Sequence, residues 1–403
     1  MRRHWLNRAR LRFYSGVVLA IFMAIAFGLV WFSDLVDPSG YTIISDLTVF
    51  WTAAQMGLSG HAVEAYRVAD LRDQVLAIFP NVQERFGWFY PPSFYLFILP
   101  LGYLPYVPAY FAFMLPTLAF YVSVVRLIFW NREAGWALAS FSGVWINLLR
   151  GQNGFLTAGL AGAGLSLLER NQILAGLVIG LTTIKPHLAV MFPVALVAAR
   201  AWRALAAAVV SSAAILGAGI AYLGTDTLSA WIHSLAVASR FSEANGPAYW
   251  IHMPTFFAFF RLLGAPLSLA YGVHAAVALV AAAAVWNVWR SDADPALKAS
   301  MLVSGTLLVS PYLLEYDLTW LALPAAWMTA LARRRGWAAG ERETLVMLWL
   351  LPVSCSLCAK WTSLQIGPWG LLLLLGMLWR KHRRSRGQLH APVLHWYSSE
   401  PKR

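Results

Sequence analysis

Charge is scarce in this chain. Only 12% of its 403 residues are Asp, Glu, Lys or Arg, about half the ~25% usual in soluble domains. A soluble protein of this size needs polar side chains to cover its surface, and too few are present. Acids are the scarcer sign, 18 against 31 Lys and Arg, for a net charge of +13. Cysteine is nearly missing. Two residues, Cys355 and Cys358, exclude a disulfide framework, and a zinc site there needs further ligands that the neighbouring sequence lacks. Two small apolar residues in a helix is the simpler reading; no metal and no cofactor is expected. No clear internal repeat occurs. No small-residue cleavage site follows the N-terminal apolar run Phe13–Phe32, so that run reads as an uncleaved first helix, not a signal peptide.

What the chain has in quantity is apolar residues, 59% of the total, with a mean hydropathy of +0.60. They come in long runs and not in short alternating ones, which favours helices over a barrel. In hydrocarbon every backbone N–H and C=O needs an internal partner, and helices supply it. The reading is an all-α polytopic membrane protein, one integral membrane domain over residues 1–403, with about twelve transmembrane helices. They are expected at 13–33, 108–129, 134–149, 154–168, 172–185, 187–200, 204–223, 267–289, 297–310, 318–332, 343–358 and 362–380. Pro91–Leu104 and Pro254–Leu263 are apolar but short, and read as re-entrant or interfacial pieces.

Excess basic charge suggests nucleic acid in a soluble protein. In a membrane protein it more naturally marks cytoplasmic loops, and no nucleic-acid partner is expected. With the N-terminus inside, Arg126, Arg132, Arg170, Arg200, Arg203, Arg290, Arg333 to Arg335 and the basic tail 381–403 all fall on the cytoplasmic side. Both termini are then cytoplasmic. The first outer loop, 34–92, carries seven acids (Asp34, Asp37, Asp46, Glu64, Asp70, Asp73, Glu84) against three arginines. Within it Ser45 is expected to cap a helix with apolar positions Leu47, Phe50, Trp51, Ala54 and Leu58, and Tyr66–Leu76 is a second helical stretch. The other large outer loop is 224–253.

This topology gathers polar residues at the outer ends of the spans. They are Asp46; Tyr90; Arg150 with Gln152 and Asn153; Lys185 with His187; His233, Arg240, Glu243, Tyr249, Trp250 and His252; and Glu315 with Asp317. Ionisable groups at a hydrocarbon boundary are costly and are candidates for function. Arg150, Lys185, His187 and Arg240 suit an anionic group such as phosphate. Asp46, Glu315 and Asp317 suit a proton acceptor or a hydroxyl-binding role. Trp51, Tyr90, Tyr249 and Trp250 suit stacking on sugars or packing on a lipid tail. Plainer roles stand beside these: Asp46 also suits a helix dipole, Lys185 can snorkel, Arg150 can pair with an acid, and His233, His252 and His274 are individually weak signals.

A family pattern runs through these residues. The pieces are Asp46-Leu47-Thr48-Val49-Phe50-Trp51-Thr52-Ala53-Ala54, Tyr90-Pro91-Pro92 with Leu99-Pro100-Leu101, Gly151-Gln152-Asn153, Gly176-Leu177 through Lys185-Pro186-His187, and Ser310-Pro311 with Tyr316-Asp317. Taken in order, the set resembles family 87 of the membrane glycosyltransferases, the polyprenol-phosphate-mannose-dependent mannosyltransferase-like group with the GT-C fold. The resemblance implies a GT-C-like bundle in the plasma membrane (the bacterial inner membrane), an active site on its outer face, and inverting transfer of a hexosyl group to a lipid or glycan acceptor from a polyprenyl-phosphate sugar. It implies that Asp46 is the catalytic base. Arg150, Lys185 and His187 are nominated for the donor phosphate, and Tyr90, Gln152, Asn153, His252, Glu315 and Asp317 for substrate binding. Two other readings remain: a transporter or flippase of lipid-linked sugars, and a ligase or polymerase using diphosphate-linked glycans.

Overall fold

A computed structural model describes residues 5–32, 45–80, 82 and 87–389. Asp34, Asp37 and Glu84 of the expected first outer loop, and the tail beyond Leu389, lie outside the described residues. Those described form helices with no strand. In chain order they are α1 (Arg8–Phe32), α2 (Ser45–Leu58), α3 (Val68–Ile78), α4 (Pro92–Ile98), α5 (Tyr106–Ile128), α6 (Arg132–Ala139) and α7 (Ser142–Arg150). Then follow α8 (Gly154–Leu167), α9 (Gln172–Gly180), α10 (Pro186–Ala189), α11 (Met191–Ala198), α12 (Trp202–Leu223), α13 (Asp226–Asn245) and α14 (Pro247–Trp250). The chain ends with α15 (Phe256–Leu262), α16 (Leu267–Trp289), α17 (Pro295–Val309), α18 (Ala322–Arg335), α19 (Glu341–Thr362) and α20 (Gly367–Leu389).

Five stretches are long and apolar enough to cross a membrane: Arg8–Gly28, Tyr106–Ile128, Trp202–Leu223, Leu267–Trp289 and Glu341–Thr362. Their outward faces are apolar, with Leu279 72% and Phe13 67% exposed, a surface that suits lipid and not water. Several of the other expected spans are broken. The stretch 134–149 divides into α6 and α7 because Phe141 is extended, at φ −66° and ψ 122°, while the Ser140 hydroxyl bonds back to the Trp136 carbonyl at 2.6 Å. The stretch 187–200 divides into α10 and α11 at Val190, and Pro193, in the first turn of α11, has no N–H to offer the Ala189 carbonyl four residues earlier. The stretch 172–185 is α9 followed by a 3-10 turn, Leu181–Ile184, and α18 is entered through another, Glu315–Leu321. These interruptions place backbone ends, and so polar side chains, inside the bundle. Between residues 224 and 253 the expected loop is largely the 20-residue helix α13, whose Ile232 and Leu235 are exposed.

Close backbone approach explains one glycine pair. A Cβ on Gly176 would lie 2.2 Å from the Ala204 carbonyl oxygen, and one on Gly180 would lie 2.4 Å from that of Ala208. Small residues four apart on α9 thus face small residues four apart on α12, the arrangement that lets membrane helices pack by van der Waals contact. Around α2, Phe50 meets the rings of Trp88, Tyr90, Phe94 and Phe113 edge-on. Trp88 and Phe94 are fully buried. This aromatic cluster locks α2 onto α4 and α5 and sets the position of the helix start at Ser45 and Asp46.

The helix α5 separates two ends of the bundle. Its first residue, Tyr106, bonds Thr48 of α2 at 2.8 Å. Its far end lies about 33 Å away at 1.5 Å per residue, enough to cross the ~30 Å hydrocarbon core. At that far end most of the ion pairs are of one kind, arginines or lysine on solitary acids: Arg12–Glu133 at 2.5 Å, Arg335–Asp294 at 3.1 Å and Lys381–Glu341 at 2.6 Å.

Candidate active site

The site begins with a left-handed turn. Gly151 closes α7 at φ +66°, a conformation glycine adopts without strain, and this reverses the chain so that Arg150 and Gln152 leave it in different directions. Asn147 accepts the Gly154 N–H at 3.0 Å; a Cβ on Gly154 would lie 2.5 Å from the same oxygen. Gln152 is 1% exposed and Asn153 fully buried. The Asn153 N–H donates to Gln152 Oε1 at 2.7 Å, and the Tyr90 hydroxyl donates to it at 3.1 Å. A backbone N–H can only donate, so the atom facing it is the amide oxygen. The amide nitrogen is thereby aimed elsewhere, and it donates to Asp46 Oδ1 at 3.0 Å.

Asp46, in the first turn of α2, is partly accessible at its surface yet deeply surrounded by protein. Burial pushes its carboxyl up to about 6, against the lowering pull of Arg150 and Lys185 and with a further upward push from Asp317. It is therefore a reachable carboxylate, more basic than an ordinary aspartate and still ionised at neutral pH.

Behind it lies a buried ion pair. Lys185 Nζ donates to Asp317 Oδ1 at 2.6 Å, and the side chains are 4% and 1% exposed. Lys185 enters through the break before Pro186, which opens α10. Its ammonium also faces Asn153 Oδ1 at 3.4 Å and sits 4.7 Å from the centre of the Tyr316 ring. Asp317 Oδ2 takes the Leu314 N–H at 3.3 Å. Burial works to raise the Asp317 carboxyl, but Lys185 and His187 outweigh it and hold it below the usual carboxylate range. His187 Nε2 stands 4.0 Å from Asp317 Oδ2. That nitrogen and Asn153 Nδ2 are buried without a hydrogen-bond partner.

A second carboxylate centre adjoins the first. Glu315, 6% exposed, faces Arg150 Nη2 at 3.4 Å and His252 Nδ1 at 3.1 Å, and accepts from the Ser356 hydroxyl. Burial works upward on Glu315 too, but His252 and Arg150 prevail and its carboxyl is lowered. Arg150 also reaches the Ser45 hydroxyl at 3.4 Å, so it bridges the Asp46 helix start and the Glu315 turn. The Glu315 N–H donates to the His252 carbonyl at 2.9 Å, which fixes the end of the 224–253 region against the same turn.

The ten residues nominated as base, phosphate-binding or substrate-binding thus gather at one end of the bundle, in two adjoining sets of contacts. By exposure they fall into two groups. Asp46, Tyr90, Arg150, His187 and His252 keep accessible surface, whereas Gln152, Asn153, Lys185, Glu315 and Asp317 lie beneath them. Other candidates fall outside. Arg240 is exposed on α13, and His233 bonds its own helix at Ser229. Trp51 donates to the Leu104 carbonyl at 2.9 Å, and the Arg261 guanidinium lies over the Trp250 ring at 4.6 Å, so both tryptophans are packing residues. Glu243 pairs with the same Arg261 at 2.8 Å, and His274 bonds the Val309 carbonyl within the bundle. Three further participants were not assigned to the site from the sequence: Tyr316 under the Lys185 ammonium, singled out only in the family pattern; Ser45 against Arg150, read only as a helix cap; and Ser356 on Glu315, which went unnoticed. Ser356 sits between the two cysteines, and a hydroxyl near the end of a span was the available signal. Among the described residues no cluster of three or more His, Cys, Asp or Glu side chains could hold a metal ion.

The geometry defines a helical membrane protein with a cluster of carboxylates and cations at one end. The sequence model of glycosyltransferase family 87 matches residues 88–311, more than half of the chain, and the protein belongs to that family. No curated protein and no solved structure matches the chain.

Proposed function

We propose that this glycosyltransferase moves a hexosyl group, mannosyl in the first instance, from a polyprenyl-phosphate donor to a hydroxyl of a lipid or glycan acceptor. Transfer takes place at the outer face of the plasma membrane and inverts the anomeric centre. About twelve spans, counting short and broken ones, carry the site, and the basic end of the bundle faces the cytoplasm. The observation that carries the reading is the Asp46 carboxylate: accessible, held by Gln152 at 3.0 Å, and poised near 6 beside Arg150 and Lys185.

In this reaction the acceptor oxygen attacks the anomeric carbon, and the bond from that carbon to the phosphate oxygen breaks. The acceptor proton passes to Asp46. The electron pair leaves with the polyprenyl phosphate, whose anionic oxygen needs no protonation, so one carboxylate suffices where glycoside hydrolysis takes two. Arg150 and His187 are the partly accessible groups that meet the phosphate, although His187 Nε2 itself is buried and turned toward Asp317 at 4.0 Å. Lys185 acts from below, its charge shared with Asp317. Preorganised cations at the leaving oxygen stabilise the charge that develops there. Glu315 and His252 shape the acceptor side, with Tyr90 and Asn153 lining the sugar.

Purified protein incubated with a panel of polyprenyl-phosphate sugars and candidate acceptors, read by mass spectrometry, tests the reading. A glycosylated product from a monophosphate donor is expected, and Asp46→Asn should abolish it while leaving the protein folded. Product formed only from diphosphate-linked glycans, or movement of lipid-linked sugar across vesicles without any covalent product, overturns it.

A further inference from the structure

At the end of the bundle away from Asp46 lies a cavity of about 580 Å³, within the 300–1,000 Å³ range of ligand pockets. It opens between α1 on one side and α5, α18 and α19 on the other. Its walls are apolar, built by residues such as Leu11, Val125, Phe141, Ala325, Leu345 and Leu348. Its mouth is basic: Arg8, Arg333 and Arg342 all line it. The Arg333 guanidinium stands 5.8 Å from the Phe129 ring and that of Arg342 stands 5.2 Å from the Trp337 ring. The one acid on the rim, Glu133, is already engaged by Arg12 at 2.5 Å. None of the three mouth arginines forms an ion pair with a described carboxylate, unlike their neighbours Arg334 and Arg335, which hold Asp294.

Length identifies the occupant. Arg333 at the mouth and Leu321 at the inner end both line the cavity. Twelve residues of helix separate them, about 18 Å, close to the depth of one leaflet of a ~30 Å hydrocarbon core. The cavity therefore has an anion-seeking head at the membrane boundary and an apolar barrel one leaflet deep. The helix α1 also needs a filler on this side, since its apolar face is largely exposed and its packing is concentrated on α6. We infer that the cavity is a binding site for an anionic glycerophospholipid, with the phosphate head among Arg8, Arg333 and Arg342 and an acyl chain between α1 and α18, seating α1 against the bundle. Basic pockets between spans are the sort of place where anionic lipid heads are held.

The test is native mass spectrometry of the full chain, released from nanodiscs of equal phosphatidylglycerol and phosphatidylcholine, together with melting of delipidated protein on adding back each lipid. Retention of phosphatidylglycerol alone, with a higher melting temperature on its return, is expected. The pair Arg333→Gln and Arg342→Gln should weaken phosphatidylglycerol binding roughly 30-fold, each charge near the headgroup contributing about a five-fold factor. Ala325→Trp, which fills the barrel, should expel the lipid while both arginines remain. Equal retention of both lipids by the wild type, unchanged retention in both variants, or displacement of phosphatidylglycerol by polyprenyl phosphate overturns the assignment. Glycosyl transfer plays no part in the readout, so failure here leaves the proposed reaction standing.

Discussion

Gln152 donates to Asp46 at 3.0 Å because its carbonyl is already claimed, by the Asn153 N–H and by the Tyr90 hydroxyl. The amide has one orientation open to it, and that orientation pins the carboxylate. Gln152 is thus a positioning residue for Asp46. Gln152→Leu should leave the base in place chemically but loose in geometry, and a misplacement of about 1 Å can cost roughly 10²-fold in rate. The loss should fall on kcat more than on KM, as initial rates against donor concentration will read. A Gln152→Leu enzyme with unchanged kcat would show that the amide is only filling space.

The pH dependence of the reaction follows from the raised carboxyl of Asp46. As the base it must be ionised, so kcat/KM should rise with pH, reach half its plateau near pH 6 and level off above it. An ordinary aspartate would already reach half its plateau about two units lower, since its normal value is about 3.9. Asp46→Asn should remove the acidic limb together with a factor of about 10² to 10⁴ in rate. A profile flat from pH 5 upward in the wild type would show that the base does not carry a raised carboxyl.

The Lys185–Asp317 pair makes a different prediction, one about stability. Both groups are almost wholly inside the protein, where removal of one partner strands the other charge, at a cost of about 3–5 kcal/mol. Lys185→Met should therefore lower the melting temperature in detergent strongly. The double variant Lys185→Met with Asp317→Asn, which strands no charge, should recover most of the loss. Failure of the second substitution to rescue the first would mean that the two side chains are not energetically coupled.

Packing of α9 on α12 supplies a sharper contrast still. Gly176→Val must push a side chain into the Ala204 carbonyl, 2.2 Å from the first atom added. Overpacking of this kind costs about 1–3 kcal/mol, and more where backbone has to move. Gly272→Ala is the matched control, since an added Cβ there meets nothing within 4 Å. Thermal melting should separate the two variants clearly.

These relationships also mark what the sequence made legible. The long apolar runs announced α5, α12, α16 and α19 because a 20-residue hydrocarbon crossing has no other solution in a helix. Residues of the site were legible for the opposite reason: Asp46, Lys185 and Glu315 are too costly near hydrocarbon to be accidental. Their pairing was not legible. Nothing in the letters says that Lys185 meets Asp317 and not Asp46, because those contacts depend on how α7, α10 and the Glu315–Leu321 turn are brought together across more than 130 residues of chain. The division of 187–200 at Val190 was not read, although Pro193, which lacks an N–H for the Ala189 carbonyl, was a signal for it. That of 134–149 carried no such signal, since Phe141 has no intrinsic reason to break a helix and does so only where Ser140 folds back on α6. The helix α13 does carry a helical signal, with Leu228, Trp231, Ile232 and Leu235 at i, i+3, i+4 and i+7, but its interspersed polar residues led to its being read as loop.

Arg150 permits a test in which the direction of a pH shift is the readout. It lowers the carboxyl of Asp46 and is the largest influence opposing burial there. It also touches Ser45 and Glu315, each at 3.4 Å. Arg150→Ala removes the cation, so the Asp46 carboxyl should rise further and the acidic limb of kcat/KM should move above pH 6, leaving less ionised base at neutral pH. Arg150→Lys keeps the charge but not the fork that spans Ser45 and Glu315. It should hold the limb near pH 6 while lowering the plateau, because the donor phosphate loses a planar two-point partner. Raising the pH should then restore part of the lost rate to the alanine variant and none to the lysine variant. If both variants instead keep the wild-type inflection and differ only in plateau, Arg150 acts on the phosphate alone and the electrostatic link to Asp46 fails.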